Sequence, residues 1–278
     1  MVPLRLLIAG SFAADKGQRG FMISTAPTTP LKAALITGAS RRIGRTIAEA
    51  LVERGYGVAL HASQRSSAEA RAFADELTAK GVRCCVITGD LAVPADVGRL
   101  VGQAHDALGP LNVLVNNASL FENDRASDFD VALFDRHMAV NLRAPAQLAS
   151  DFAKQLPQSE EGVIINLIDQ RVWRLNPLFF SYTLSKSALW SATQTMAQAF
   201  APRIRVNGVG PGPTLANHMQ GQEGLDREAL ATPLERAIDP REIADAVCFL
   251  VQARGVTGQM IAVDGGQHLA WRTPDVEV

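Results

Sequence analysis

The chain carries no surplus charge of either sign: 27 Lys and Arg stand against 28 Asp and Glu, a formal net charge of −1. Such a balance supplies no basic face, so nucleic acid and anionic membrane surfaces are not expected partners. Cysteine is sparse and odd in number, at positions 84, 85 and 248. That argues against a disulfide-stapled secreted scaffold and fits a reducing, cytoplasmic setting. Cys84 and Cys85 are neighbours in a strand-like segment, so they point to opposite faces and read as small buried apolar residues. Beyond the N-terminal region, no apolar run approaches the ~20 residues of a membrane span. No metal-ligating set is expected either.

Residues 2–14, VPLRLLIAGSFAA, weakly imitate a secretion signal, but the run is brief and gives way to DKGQRG and STAPTTP. Residues 1–30 are therefore read as a disordered extension, or as the product of an upstream start with Met22 as the true initiator. From Leu31 apolar runs alternate with helical spacing. Strands are expected at 32–37, 56–62, 82–90, 111–118, 163–169, 204–212 and 259–266. Helices are expected at 45–55 and 67–80, after Pro94, over roughly 130–156 and 182–200, and near 241–252. Almost continuously apolar strands alternating with helices imply an α/β fold, a single doubly wound parallel sheet covered on both faces. No linker-like break divides the pattern, so residues 31–278 are read as a single domain.

TGASRRIG (37–44) follows a strand and opens a helix, the context of a phosphate-binding turn. Gly38 permits the turn, Gly44 lets helix and strand approach, and the helix N-terminus offers free N–H groups to a pyrophosphate. A two-glycine turn is weak evidence alone. A free ribose 2′-hydroxyl is usually met by a carboxylate about 20 residues past the turn. Here that region reads HASQRSS (61–67), without a carboxylate. Arg65 and Ser66 suit a 2′-phosphate, and Arg42 adds positive charge, so NADPH is the expected cofactor. Asp90 and Leu91 are placed near its adenine. Asn117 and Ala118, after the fourth strand, bring backbone close to it.

Tyr182 and Lys186 are four apart on an expected helix and share one face. A lysine ammonium near the phenol would lower its proton affinity and make it a proton donor near neutral pH.

TGASRRIG, the strand-end Asp90-Leu91, NNAS (116–119), Asn141 in VNLRAP, Tyr182/Lys186 and RVNGVGPG, in that order, resemble the short-chain dehydrogenase/reductase family over residues 31–266. The resemblance implies a Rossmann-type sheet and a nicotinamide cofactor held also by Ser40, Arg41, Ile43, His61, Pro211 and Gly212. It further implies Tyr182 as proton donor, Lys186 on the nicotinamide ribose, and Asn141 supporting a relay water. The strand QMIAVDGG (259–266) is similar to one used at tetramer interfaces, which implies a homotetramer. Two positions depart from most of that family: Arg42 stands where a third glycine is usual, and Asp169 where a serine is usual. At both, the chain is similar to the branch of pteridine reductases and bacterial dihydromonapterin and dihydrofolate reductases. In that branch the residues matching Ser119 and Phe121 bond and stack on a pterin, and the acid matching Asp169 is catalytic. Arg42 is expected at both the pyrophosphate and an acceptor on the ring.

Reduction of a C=N bond needs a proton on a ring nitrogen, which an acid feeding Tyr182 would supply. The expected function is therefore NADPH-dependent reduction of a pterin or folate. A plainer role for Asp169 is a strand-end cap on backbone N–H groups. A carbonyl reductase or alcohol dehydrogenase that tolerates the aspartate is one alternative, and a catalytically silent NADP(H)-binding sensor another. The stretch after PGPTL (211–215) reads as a mobile substrate lid, with His218 and Met219 as possible contacts. Trp173 and Leu175 are further candidates for the pocket wall.

Overall fold

Seven short apolar segments, each hydrogen-bonded only to its neighbours, build the sheet. They are β1 (Ala33–Ile36), β2 (Gly57–Ala62), β3 (Cys84–Thr88), β4 (Val113–Asn116), β5 (Gly162–Leu167), β6 (Ile204–Pro211) and β7 (Met260–Val263). The computed structural model describes residues 32–216 and 221–270; the expected N-terminal extension and the contacts assigned to His218 and Met219 lie outside the described residues. All strand pairings are parallel, in the order β3-β2-β1-β4-β5-β6-β7. The chain winds outward from β1 in one direction, then returns to β4 and winds in the other. The β1/β4 junction is thus the switch point, where ligands of open α/β sheets collect.

Helices cover both faces, and strand alternation decides which residues meet which layer. Ala34 and Ile36 of β1 join a core with α1 (Arg42–Val52), α2 (Ser67–Ala79) and α8 (Pro240–Gln252). Ala33 and Leu35 join the opposite core, with α3 (Pro94–Leu108), α5 (Ala144–Gln155) and α6 (Phe180–Phe200). Cys84 and Cys85 divide between the two cores as their alternation requires. All three cysteines are free. Burial pushes the Cys85 thiol up to about 11, so it stays a protonated apolar side chain.

The helix expected over 130–156 is present but not uniform. It runs as α4 (Val131–Met138), a π-helical stretch Ala139–Arg143, and α5. Pro145 explains the widening. It has no N–H to give to the carbonyl of Asn141 four residues back, and its ring crowds that carbonyl. The stretch after β6, read from sequence as a substrate lid, contains α7 (Gly221–Leu230). Helix α8 starts on a full capping box: Asp239 accepts from the Arg241 N–H, and Glu242 accepts from the Asp239 N–H.

Gly44 sets how closely α1 can approach the switch point. A Cβ there would lie 2.1 Å from the Gly38 carbonyl oxygen and 2.5 Å from the Asn117 amide nitrogen. Backbone, not a flexible side-chain end, would have to yield. Gly44→Ala is expected to cost roughly 1–3 kcal/mol of stability by overpacking, read as a lowered urea midpoint; a midpoint equal to wild type would show that the turn is softer than its contacts imply.

Candidate active site

At the carboxyl edge of β1, β2 and β4, three polar contacts lock the phosphate-type turn. The Thr37 hydroxyl accepts from the Asn117 and Ala118 N–H groups at 2.9 and 3.0 Å. The Asn117 side chain donates to the Thr37 carbonyl at 2.8 Å. His61, buried at the end of β2, accepts from the Gly38 N–H through Nδ1 and donates through Nε2 to the Gly89 carbonyl, both at 3.2 Å. This pairing fixes the neutral Nε2–H tautomer. Desolvation holds the imidazole down to about 4.

The turn opens onto a cavity of about 420 Å³ lined by Gly38, Ser40, Arg41, Arg42, Ile43, Gly44, His61, Ser66, Asp90, Leu91, Asn117, Ala118 and Ser119. Its walls offer hydroxyls, guanidinium groups and a helix start free of acidic side chains, a donor set suited to an anion. Arg65 lines the adjoining space with Gln64 and Asp90. Asp90 spends one carboxylate oxygen on the Ala92 N–H. Leu91 buries its side chain in the core, leaving its backbone for contact at the wall.

A second cavity, about 270 Å³, adjoins the first and is lined by Arg42, Ile43, Ser119, Phe121, Asp169, Arg171, Tyr182, Lys186, Pro211 and Gly212, among others. The strand β5 ends two residues before Asp169, and α6 presents Tyr182 and Lys186 one turn apart. The Tyr182 hydroxyl donates to Asp169 Oδ2 at 2.8 Å, and Asp169 Oδ1 accepts from the Arg171 N–H at 2.8 Å. Asp169 is therefore both the backbone cap and the phenol's partner. Lys186, 2% exposed, donates to the Leu167 carbonyl at 2.7 Å.

At Tyr182 the net shift runs opposite to the expected lowering. Burial and the adjacent Asp169 carboxylate hold the phenol well above its usual value, because both penalise a phenolate. Burial likewise raises the Asp169 carboxyl. It lowers the Lys186 ammonium to about 8. Tyr182 in this cavity is a firmly protonated phenol.

Asn141 lies on the π-helical stretch, fully buried. Its amide donates to the Leu120 carbonyl and the Ser185 hydroxyl, and its oxygen accepts from the Leu120 N–H and the Ser119 hydroxyl. Every donor and acceptor of the side chain is used. It is a strut between the NNASLF loop and α6, with no side-chain hydrogen left for the expected relay water.

Arg42 adopts φ 53°, the left-handed conformation that a glycine would hold without strain. Its guanidinium donates to the Leu215 and Ala216 carbonyls at 3.2 and 2.9 Å, tying the turn to the segment after β6. It lines both cavities, as expected of a residue serving cofactor and substrate together.

Phe121 stacks on Phe179 with ring centroids 4.3 Å apart and planes 10° apart, and meets the edge of Tyr182 at 4.7 Å. Trp173 and Leu175, by contrast, are solvent-exposed and not part of the cavity wall. Sequence reading missed Thr37, Phe179 and Arg171. Thr37 was discoverable as a hydroxyl immediately before the turn glycine. The other two carry no local signal.

The model of a family described as enoyl-(acyl carrier protein) reductase matches residues 38–268. The chain is 51% identical to the structure of FolM alternative dihydrofolate reductase 1 from Brucella canis complexed with NADP, with a TM-score of 0.85, covering 88% of this chain and 97% of that one. It is 32% identical to 3-oxoacyl-[acyl-carrier-protein] reductase FabG of Staphylococcus epidermidis, covering 86% of this chain and 99% of the relative. It is 31% identical to a short-chain type dehydrogenase/reductase of Picea abies, covering 85% and 92%. The chain belongs to the short-chain dehydrogenase/reductase family and is an oxidoreductase of it. The likeness to FolM bears out the pteridine reductase-like branch.

His61 generates a pH test. Its unfolded-state pKa of 6.5 exceeds the folded value of about 4, so the unfolded chain binds a proton first as pH falls. The stability it contributes is complete above 6.5 and declines towards 4, by about 3 kcal/mol. Urea melts of wild type and His61→Gln should therefore differ less at pH 4.5 than at pH ~7. A gap independent of pH would mean that the ring is not held neutral.

Proposed function

We propose that the protein reduces a C=N bond of a pterin or folate with NADPH. The observation that carries this reading is the half-buried Tyr182–Asp169 hydrogen bond in a cavity walled by Phe121. The residues present suit the cofactor: hydroxyls, N–H groups and guanidinium groups line the larger cavity, and β2 ends without a carboxylate. The FolM structure at 51% identity is complexed with NADP, which supports the phosphorylated form. Ser40, Arg41 and the start of α1 would hold the pyrophosphate, Arg65 and Ser66 the 2′-phosphate, and Lys186 the nicotinamide ribose. Bound there, NADPH supplies a hydride.

The chain's own residues supply the rest. Phe121 is backed by Phe179 on one face and turns towards the cavity, so a planar heterocycle can stack on it. The Ser119 hydroxyl and Arg42 offer polar contacts on the same wall. Tyr182 gives its proton to the ring nitrogen as the adjacent carbon is reduced; the Asp169 carboxylate orients the phenol before transfer, then takes up a proton from solvent at the open cavity and passes it to the phenolate. A phenol of raised proton affinity resists premature ionisation. A neutral serine at position 169 would suit a ketone, whose oxygen needs only a hydroxyl to hold it. The likeness to FabG favours carbonyl reduction as the second reading. A silent sensor has no use for the half-buried Tyr182–Asp169 pair. Strand β7 stands at the open edge of the sheet and Phe249 of α8 is exposed, which supports a homotetramer.

A panel of dihydropterins, dihydrofolate and simple ketones with NADPH and NADH tests the reading. Turnover of pterins or folate with NADPH is expected, and turnover confined to ketones would overturn it. Tyr182→Phe should lower kcat by roughly 10²–10⁴ while the Kd for NADPH stays unchanged. Asp169→Ser should lose pterin turnover and keep ketone turnover. Because kcat/KM reports the free enzyme, its alkaline limb should fall near pH 8 as Lys186 loses its proton; a profile flat to pH ~10 would remove Lys186 as a charged participant.

A further inference from the structure

Arg171 follows Asp169 by two residues and lines the smaller cavity, yet it is only 9% exposed. Burying a guanidinium costs several kcal/mol unless its hydrogens find acceptors. Among the described residues they find none. Asp169 Oδ1, 3.9 Å from Nε, balances its charge as an ion pair but lies beyond hydrogen-bond reach. That oxygen is already used by the Arg171 backbone N–H, and Oδ2 by Tyr182. What fixes the guanidinium is aromatic. Its carbon lies 4.9 Å from the Phe179 centroid and 5.8 Å from that of Phe121, so the planar fork is held against the stacked pair.

A rigid, nearly buried donor with unclaimed N–H groups, on the wall that also carries Phe121 and Tyr182, is suited to an oxygen of whatever stacks there. We propose that Arg171 is a substrate-binding residue whose guanidinium donates to an oxygen acceptor of the substrate. This rests on the pterin reading and narrows it. Two oxygens are available in that class: the ring carbonyl that all pterins carry, and the carboxylates of a folate tail. In either case Asp169 and Arg171 act as neighbours of opposite sense, one accepting hydrogen from the phenol and the other giving it to the ligand.

The test measures binding to the NADP-saturated enzyme by quenching of protein fluorescence. The probes are a tail-less 2-amino-4-oxo dihydropterin, its 2,4-diamino counterpart and dihydrofolate. The proteins are wild type, Arg171→Met and Arg171→Lys. A charge-assisted hydrogen bond predicts that Arg171→Met weakens the affected ligand by roughly tenfold to a hundredfold, with Arg171→Lys in between and NADP affinity unchanged. If the ring carbonyl is the acceptor, wild type prefers the oxo over the diamino compound and Arg171→Met loses that preference. A merely structural role would weaken both alike. If a tail carboxylate is the acceptor, the loss falls on dihydrofolate alone, which also supports the assignment. Equal affinities of wild type and both variants for all three probes, or parallel losses without change in preference, would overturn it while leaving the pterin reading standing. A wild type that binds no pterin or folate overturns both.

Discussion

A phenol donating to a half-buried carboxylate is the constraint around which this protein is arranged. Burial raises the carboxyl of Asp169 and the hydroxyl of Tyr182 together; Asp169 further favours the protonated phenol, while Arg171 and then Tyr182 favour the carboxylate. The 2.8 Å contact demands that the end of β5 and the first turn of α6 stay in fixed register. Two buried links secure that register. Lys186 reaches back to the Leu167 carbonyl, and Asn166 of β5 donates to Thr193 of α6 at 2.8 Å. Thr193 in turn returns its hydrogen to Leu189. Strand and helix are thus tied on both sides of the reacting pair by polar groups that have no water to fall back on.

The loop Asn117–Asp124 extends the same register to the cavity wall. It is anchored at its start by Thr37, in its middle by Asn141, and at its end by α6 itself. There the Asp124 carboxylate accepts from the N–H and hydroxyl of Ser181, and Asn123 accepts from the Phe179 N–H. A carboxylate at that place also complements the helix dipole. Phe121, within the loop, is therefore held against Tyr182 by bonds made on either side of it. One loop connects the nucleotide turn, the π-helical stretch and the N-terminus of α6, so movement of any one is felt by the other two.

Much of this was legible in the sequence because it is written locally. Apolar runs mark the strands, a glycine pair marks the turn, and spacing of four puts Tyr182 and Lys186 on one face. The strand boundaries ran long by one to three residues at most ends, since flanking apolar residues extend the pattern without joining the ladder. What stayed hidden depends on groups distant in the chain. The π-helical widening requires Pro145 to be read against Asn141 as a missing hydrogen bond rather than as a breaker. The sign of the shift at Tyr182 comes from burial of the phenol and then from Asp169 beside it, neither of which spacing on one helix reveals. Arg171 looks like a solvated arginine until Phe179 and Phe121 are stacked beside it.

Two of the three non-glycine residues with left-handed backbone gather at one place; the third, Glu235, lies between α7 and α8, away from the cavity wall. Arg42 and Phe179 hold left-handed backbone conformations, at a cost of about 1–2 kcal/mol each for side chains of their size. Both lie against the smaller cavity or its wall, and so do the buried charges of Asp169, Arg171 and Lys186. A fold selected for stability alone would relax Arg42 to glycine and replace the buried ions with apolar groups. The strain at Arg42 turns its guanidinium across both cavities, and the strain at Phe179 sets a second ring behind Phe121. Arg42 and Phe179 each therefore place a group that the cavity uses, which is the pattern expected where local preference yields to a site. In the opposite core, around Phe152 and Leu148, no such departures occur among the described residues, and packing alone decides the structure there.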